Sequence, residues 1–451
     1  MRSTTRLHAA FAKFIVFVAS AAAVARAADD RPNVVFFFTD DQRADTIAGL
    51  GHPVVKTPHL DRLAQSGFVF RNAYCMGSTM PAVCNPSRHM MLSGKSLFHY
   101  DPQQKENTFG DVMRRAGYVT YHHSKRGNSA RVYHTAFERS HYLDDGEVRR
   151  SGHHGKVAAD DAIAFLEQHD GEKPFFMYVG FAGPHDPRVA APQWTDLYDR
   201  ASIPLPANYM PFHPFDNGEM GVRDEKLAPW PRTEEVVRRH LHDYYACISS
   251  IDHQIGRVLA AVERKGWSEN TIVVFSSDHG LAIGSHGLFG KQNLYEHSMK
   301  SPLIFKGPGI PHGETEASAY LFDIFPTVCD LTGVPAPEGL DGKSQAPVIH
   351  GQADSRREAV FLAYRDVQRA VRLGRWKLIR YPKVDVTQLF DLRSDPDEMH
   401  NLADKSEFSD QVDAMLERLR REQQLAGDTL PLKVDSPTPA EVDHDFFKRF
   451  Q

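Results

Sequence analysis

Two apolar runs of this 451-residue chain, Val34 to Phe38 and Thr271 to Phe275, each lead straight into acids. The first ends in Thr39-Asp40-Asp41 and the second in Ser276-Ser277-Asp278-His279-Gly280. Continuous apolar runs of this length read as strands buried on both faces, the texture of a parallel sheet covered by helices. In an open α/β sheet, ligands bind beyond the carboxyl ends of the strands, so two acid-tipped strands can deliver their carboxylates to one cation.

The segments around these strands fit that frame. Thr57-Pro58 starts a helix whose Leu60, Leu63 and Ala64 share a face and which Gly67 stops. Helical spacing recurs from Phe109 to Ala116, from Ala158 to Glu167 and from Glu234 to Lys265, and the run Pro174 to Val179 reads as another buried strand. Helices alternating with apolar strands predict a mostly parallel sheet between helices. From Pro204 to Thr233 the rhythm breaks into prolines, Phe212, Phe215 and Trp230, which reads as a long loop over the site. Beyond Val348, alternation in 359–364, 369–372 and 376–381 predicts antiparallel strands, and 408–424 has helical spacing. The expected organisation is a signal peptide at 1–28, a catalytic domain at 29–347 and a C-terminal α+β subdomain at 348–451.

Arg2, Arg6 and Lys13 precede the apolar segment Phe14 to Ala25, and Ala25-Arg26-Ala27 fits a small-x-small cleavage site. The chain is therefore expected to be exported, to the periplasm or outside the cell, with no membrane attachment after cleavage. A net charge of −5 gives no reason to expect a nucleic-acid partner. Four cysteines, Cys75, Cys84, Cys247 and Cys329, are too few for a disulfide framework once Cys84 is set aside for chemistry. Cys247 and Cys329 read as buried small hydrophobes.

The reason to set Cys84 aside is the pentad Cys84-Asn85-Pro86-Ser87-Arg88 followed by Leu92-Ser93-Gly94-Lys95. Together with the two acidic strand ends and the Leu389-Phe390-Asp391-Leu392, Asp395-Pro396 and Asn401-Leu402 segments, it resembles the type I, formylglycine-dependent sulfatases of the alkaline phosphatase-like superfamily. The resemblance implies an α/β fold: a large mixed, mostly parallel sheet between helices, with a smaller C-terminal antiparallel-sheet subdomain. It implies that a formylglycine-generating enzyme oxidises Cys84 to formylglycine. It also implies a divalent cation, Ca2+ in the family, held by Asp40, Asp41, Asp278, His279 and residue 84. The imidazole of His279 is a softer ligand than the amide many relatives offer, and also suits manganese or another transition ion.

Matching positions imply Arg88, Lys125, His185 and Lys291 as the remaining catalytic residues. Lys125, His185 and Lys291 would bind the substrate, the lysines as sulfate clamps and His185 as the acid for the leaving alcohol. One position departs from the pattern. Where the family has lysine-x-histidine, this chain has Lys125-Arg126-Gly127, and His122, His123 or Asn128 is expected to supply the missing contact to residue 84. The substrate expected is a sulfated carbohydrate or small organic sulfate. Two other readings remain open at this point: a phosphomonoester or phosphonate hydrolase of the same superfamily, and a non-catalytic glycan-binding relative.

Overall fold

The computed structural model describes residues 31–443 apart from 128, 144–145 and 147–149, together with 445 and 447. The segment read as a signal peptide lies outside these residues. The main sheet runs, edge to edge, Gly313–Tyr320, Phe68–Tyr74, Leu303–Lys306, Thr271–Ser277, Asn33–Asp40, Phe175–Pro184, Val119–Ser124 and Arg139–Tyr142, with Lys300–Ser301 paired beside Phe68–Tyr74. All its pairings are parallel except those of Leu303–Lys306 and Lys300–Ser301. This is the mixed, mostly parallel sheet expected.

The central strand Asn33–Asp40 has no polar face, and its alternation divides the molecule into two cores. Val34, Phe36 and Phe38 join one core, where Phe109, Phe325 and Met90 come from covering helices. Val35 and Phe37 join the other, under Leu60, Leu63, Ala158, Ala162, Ile251 and Ile255. The helix Glu234–Arg264 over that second face opens on Thr233, whose hydroxyl accepts from the Val236 N–H. Parallel register sets Phe38 opposite Ser276 and Thr39 opposite Ser277, so both acidic tips leave the sheet at the same level.

A second sheet runs Val386–Asp391, Trp376–Tyr381, Gln368–Leu373, Ala359–Tyr364, all antiparallel. The helix Ser409–Ala426 buries Met415 and Leu419 in the core these strands line. The expected subdomain texture is present, but the sheet also takes a strand from far upstream: Gly77–Ser78 pairs in parallel with Ala363 and Tyr364. Gly77 sits at φ 109°, and a Cβ there would lie 1.9 Å from the Ala363 carbonyl oxygen, so only glycine permits the approach. This short strand ties the second sheet to the helix Cys84–Ser93 a few residues on.

Candidate active site

The register of the two central strands decides the site. Asp41 leaves the strand at φ 69°, a left-handed turn that aspartate tolerates. Its N–H donates to Asp278 Oδ1 at 2.9 Å, which also accepts from the His279 N–H at 3.0 Å. The Tyr244 hydroxyl, from the long helix, donates to the Asp41 carbonyl at 2.6 Å and accepts from the Arg43 N–H at 2.8 Å, fixing the turn from the other side.

Cys84 opens the helix Cys84–Ser93 and points its thiol into this acidic corner. Its Sγ lies 3.2 Å from Lys291 Nζ, 3.3 Å from His279 Nε2 and 3.6 Å from Asp41 Oδ1. Burial pushes the thiol pKa well up, with Asp40 and Asp278 adding to it against Lys291. An unmodified Cys84 would therefore stay protonated and be a poor nucleophile.

One helical turn on, Arg88 reaches the two strand tips. Its Nη2 is 3.1 Å from Asp278 Oδ2 and 3.2 Å from Asp40 Oδ2, with no exposed surface on any of the three side chains. Lys125 pairs with Asp40 from just beyond the strand Val119–Ser124, and Lys291 Nζ lies 2.8 Å from Asp41 Oδ1. Burial alone would raise the Asp40 carboxyl, yet Lys125 and Arg88 hold it well below the usual carboxylate range. Asp41 is held down in the same way by Lys291 and His185. His185 Nε2 is 3.9 Å from Asp41 Oδ2.

These residues fit a cation. Asp41, Cys84, Asp278 and His279 form one buried group, and Asp40, Asp41, Cys84 and His185 a second, in each of which the potential ligand atoms lie within 4.8 Å of one another. Both carboxylate oxygens of Asp40 are buried; Oδ2 meets the Arg88 and Lys125 heads as ion pairs, and Oδ1 has no hydrogen-bonding partner among the described residues. His279 Nδ1 lies 2.8 Å from the Gly280 carbonyl, which can only accept. That contact places the hydrogen on Nδ1 and leaves the Nε2 lone pair facing Asp41 and residue 84, the arrangement of a metal-binding imidazole.

Neither histidine expected to replace the missing one has residue 84 among its contacts. His122 spends Nδ1 on Ser140 Oγ at 3.0 Å and Nε2 on Ser124 Oγ at 2.8 Å, and stacks on Tyr178 at an interplanar angle of 7°. His123 points to the other face of its strand and meets Asp161 Oδ2 at 3.0 Å. Asn128 lies outside the described residues. Among the described residues, the imidazoles grouped with residue 84 are those of His279 and His185.

Three contributors had no sequence signal. The Tyr178 hydroxyl is 3.4 Å from Arg88 Nη1. Tyr244 is described above. The long loop brings Glu225, whose carboxylate accepts from the Phe289 and Gly290 N–H groups at 2.9 and 2.8 Å and so anchors the approach to Lys291.

The chain is similar to known proteins over most of its length. The Sulfatase family model matches residues 32–334, and that of the N-sulphoglucosamine sulphohydrolase C-terminal region matches 284–425. An N-acetylglucosamine-6-O-sulfatase of Bacteroides thetaiotaomicron is 26% identical over 89% of this chain and 88% of its own. An ulvan-active sulfatase of Formosa agariphila is 30% identical over 86% and 81%. A solved structure of a protein with its substrate D-glucosamine-2-N,6-O-disulfate shares the fold with a TM-score of 0.74 at 23% identity, covering 90% of this chain and 100% of that one. With its acidic strand tips, buried Cys84 and a family match over most of its length, the chain belongs to the sulfatase family and is a sulfuric ester hydrolase.

Proposed function

We propose that this sulfatase is exported, that Cys84 is oxidised to formylglycine by a formylglycine-generating enzyme, and that it removes sulfate from a sulfated sugar. The convergence of Cys84 Sγ on Lys291, His279 and Asp41 supports the reading most directly. The sulfur stands where the oxygens of a hydrated aldehyde would be. That hydrate supplies one hydroxyl to attack sulfur and a second to release the bound sulfate. A divalent cation, Ca2+ from the carboxylate-rich donor set, would be held by Asp40, Asp41, Asp278, His279 and residue 84, and would polarise the oxygens there.

The chain's own residues divide the remaining work. Lys125 and Lys291 bind the sulfate oxygens and offset charge that grows during transfer. Arg88 stays on the carboxylates, holding Asp40 and Asp278 in place rather than reaching substrate. His185 donates a proton from Nε2 to the leaving oxygen. Two named relatives act on glycans, an N-acetylglucosamine sulfate and ulvan, which favours a sugar as the leaving group. Export rests on the amino-terminal sequence; no helix among the described residues is long and apolar enough to cross a membrane.

Mass spectrometry of the tryptic peptide containing residue 84, from protein made in a native host, tests the reading directly. The expected result is an aldehyde in place of the thiol. An intact thiol sinks it and favours a glycan-binding relative. Matched aryl sulfate and aryl phosphate assays address the other alternative, and faster phosphate release would assign the site to phosphate esters. Chelation followed by Ca2+ or Mn2+ should restore activity best with Ca2+; restoration by Mn2+ alone would overturn the metal assignment.

A further inference from the structure

We propose that Asp186 and Arg223 are positioning residues that aim His185 at the leaving oxygen, so that the long loop governs protonation of the departing alcohol. The inference rests on the role given to His185 above. His185 Nδ1 lies 2.7 Å from the backbone carbonyl of Asp186. A carbonyl only accepts, so Nδ1 carries the hydrogen and Nε2 is the nitrogen turned toward Asp41 and residue 84. The Asp186 carboxylate stands beside the same ring, Oδ1 3.4 Å from Nδ1.

Arg223, carried by the loop between residues 204 and 233, grips that carboxylate with both arms, Nη1 on Oδ1 at 2.7 Å and Nη2 on Oδ2. Nη1 also donates to Asp224 Oδ1 at 2.6 Å. Asp224 Oδ2 in turn accepts from the Gln292 amide at 2.7 Å, immediately after the clamp residue Lys291. One guanidinium thus joins the leaving-group side of the site to its sulfate side. A two-armed fork fixes direction as well as distance, which a lysine cannot reproduce. Burial alone would raise the Asp186 carboxyl, yet Arg223 and His185 hold it below the usual carboxylate range, so it stays an acceptor for both. The Arg223 side chain is 60% exposed, so its loss leaves the core untouched.

In the step concerned, the hydroxyl of residue 84, ionised beside Lys291 with its own proton lost to water, forms its bond to sulfur as the bond from sulfur to the alcohol oxygen breaks. The electron pair stays on that oxygen, which takes the Nε2 proton. The need for that proton depends on the alcohol, and this separates positioning from general damage.

The test compares parent, R223A, R223K, D186N and H185A on aryl sulfates from 4-nitrophenyl, which leaves readily unprotonated, to 4-methoxyphenyl, which does not. R223A and D186N are expected to lower kcat on the 4-methoxyphenyl ester about tenfold or more, while the 4-nitrophenyl ester loses less than about twofold. R223K should resemble R223A. Equal losses across the series in R223A and D186N, or rescue by R223K, overturn the inference. If H185A steepens the series and the other variants do not, the inference fails while the role of His185 stands. If H185A lowers every ester equally, that role falls and takes the inference with it.

Discussion

Asp40, Asp278 and His279 have no exposed surface, whereas the side chains of Lys125 and His185 keep 15% and 16% of theirs and that of Arg223 keeps 60%. The floor of the site and its rim differ because different elements carry them. The floor stands on neighbouring parallel strands whose register is fixed by apolar side chains on both faces, and a one-residue slip would turn Phe36 and Phe38 into the wrong core. The rim stands on chain that has already left the sheet: Lys125 follows the strand Val119–Ser124, His185 the strand Phe175–Pro184, and Arg223 belongs to the long loop. The floor is thus coupled to folding, and the rim can change without it.

The widest gap between activity and stability should come from Cys84→Ala. Sulfate release is expected to fall by roughly 10⁴-fold or more, with the melting temperature almost unchanged, because the small side chain still fills the space. A variant retaining more than about a hundredth of parent activity would detach the chemistry from the floor.

Asp278→Ala should couple the two quantities. It leaves the buried Arg88 with Asp40 as its one remaining carboxylate, and removing one partner of a buried charge network costs about 3–5 kcal/mol. Calorimetry should show a fall of several degrees alongside loss of activity. Lys125→Ala is expected to cut kcat/KM about 10²-fold while leaving the melting temperature near that of the parent. If both variants melt alike, the distinction between floor and rim is lost.

The same distinction explains what could be read in the sequence. Val34 to Phe38 and Thr271 to Phe275 announce themselves because strands buried on both faces are apolar throughout, and the acids at their ends follow in the next residues. The edge strand Gly313–Tyr320, reading GETEASAY, is half exposed and carries no such run. Gly77–Ser78 is too short to have a pattern, and only its partner in the second sheet gives it meaning. At the site, local motifs pointed to Cys84, Arg88 and Lys291. Tyr178, Tyr244 and Glu225 act across separations that no local spacing encodes. His122 and His123 were attractive because they precede Lys125, but one ring packs on Tyr178 and the other turns to Asp161.

The smallest effect concerns a buried ion cluster between the second sheet and the helix Glu296–Met299. Lys377, on the second sheet, sits between Glu296 Oε1 at 2.9 Å and Glu398 Oε1 at 2.7 Å, and Glu398 Oε2 accepts from the Glu296 N–H at 2.7 Å. Burial, with Glu296 close by, pushes the Glu398 carboxyl up from 4.5 to about 7, against the pull of Lys377. The folded protein therefore binds a proton there that the unfolded chain releases near pH 4.5. This contribution is fully present below pH 4.5 and is lost as pH rises through about 7, so it makes stability decline across that window. Glu398→Gln keeps the shape and fixes the neutral form. Its melting temperature should decline less than the parent's from pH 4.5 to above 7, the two curves diverging by a few degrees. At neutral pH its leaving-group dependence should match the parent's, since the ion pairs of this cluster join Lys377, Glu296 and Glu398 rather than Lys125 or Arg223. Parallel melting curves would show that Glu398 does not titrate there, and an altered leaving-group dependence would mean that the rim depends on the second sheet.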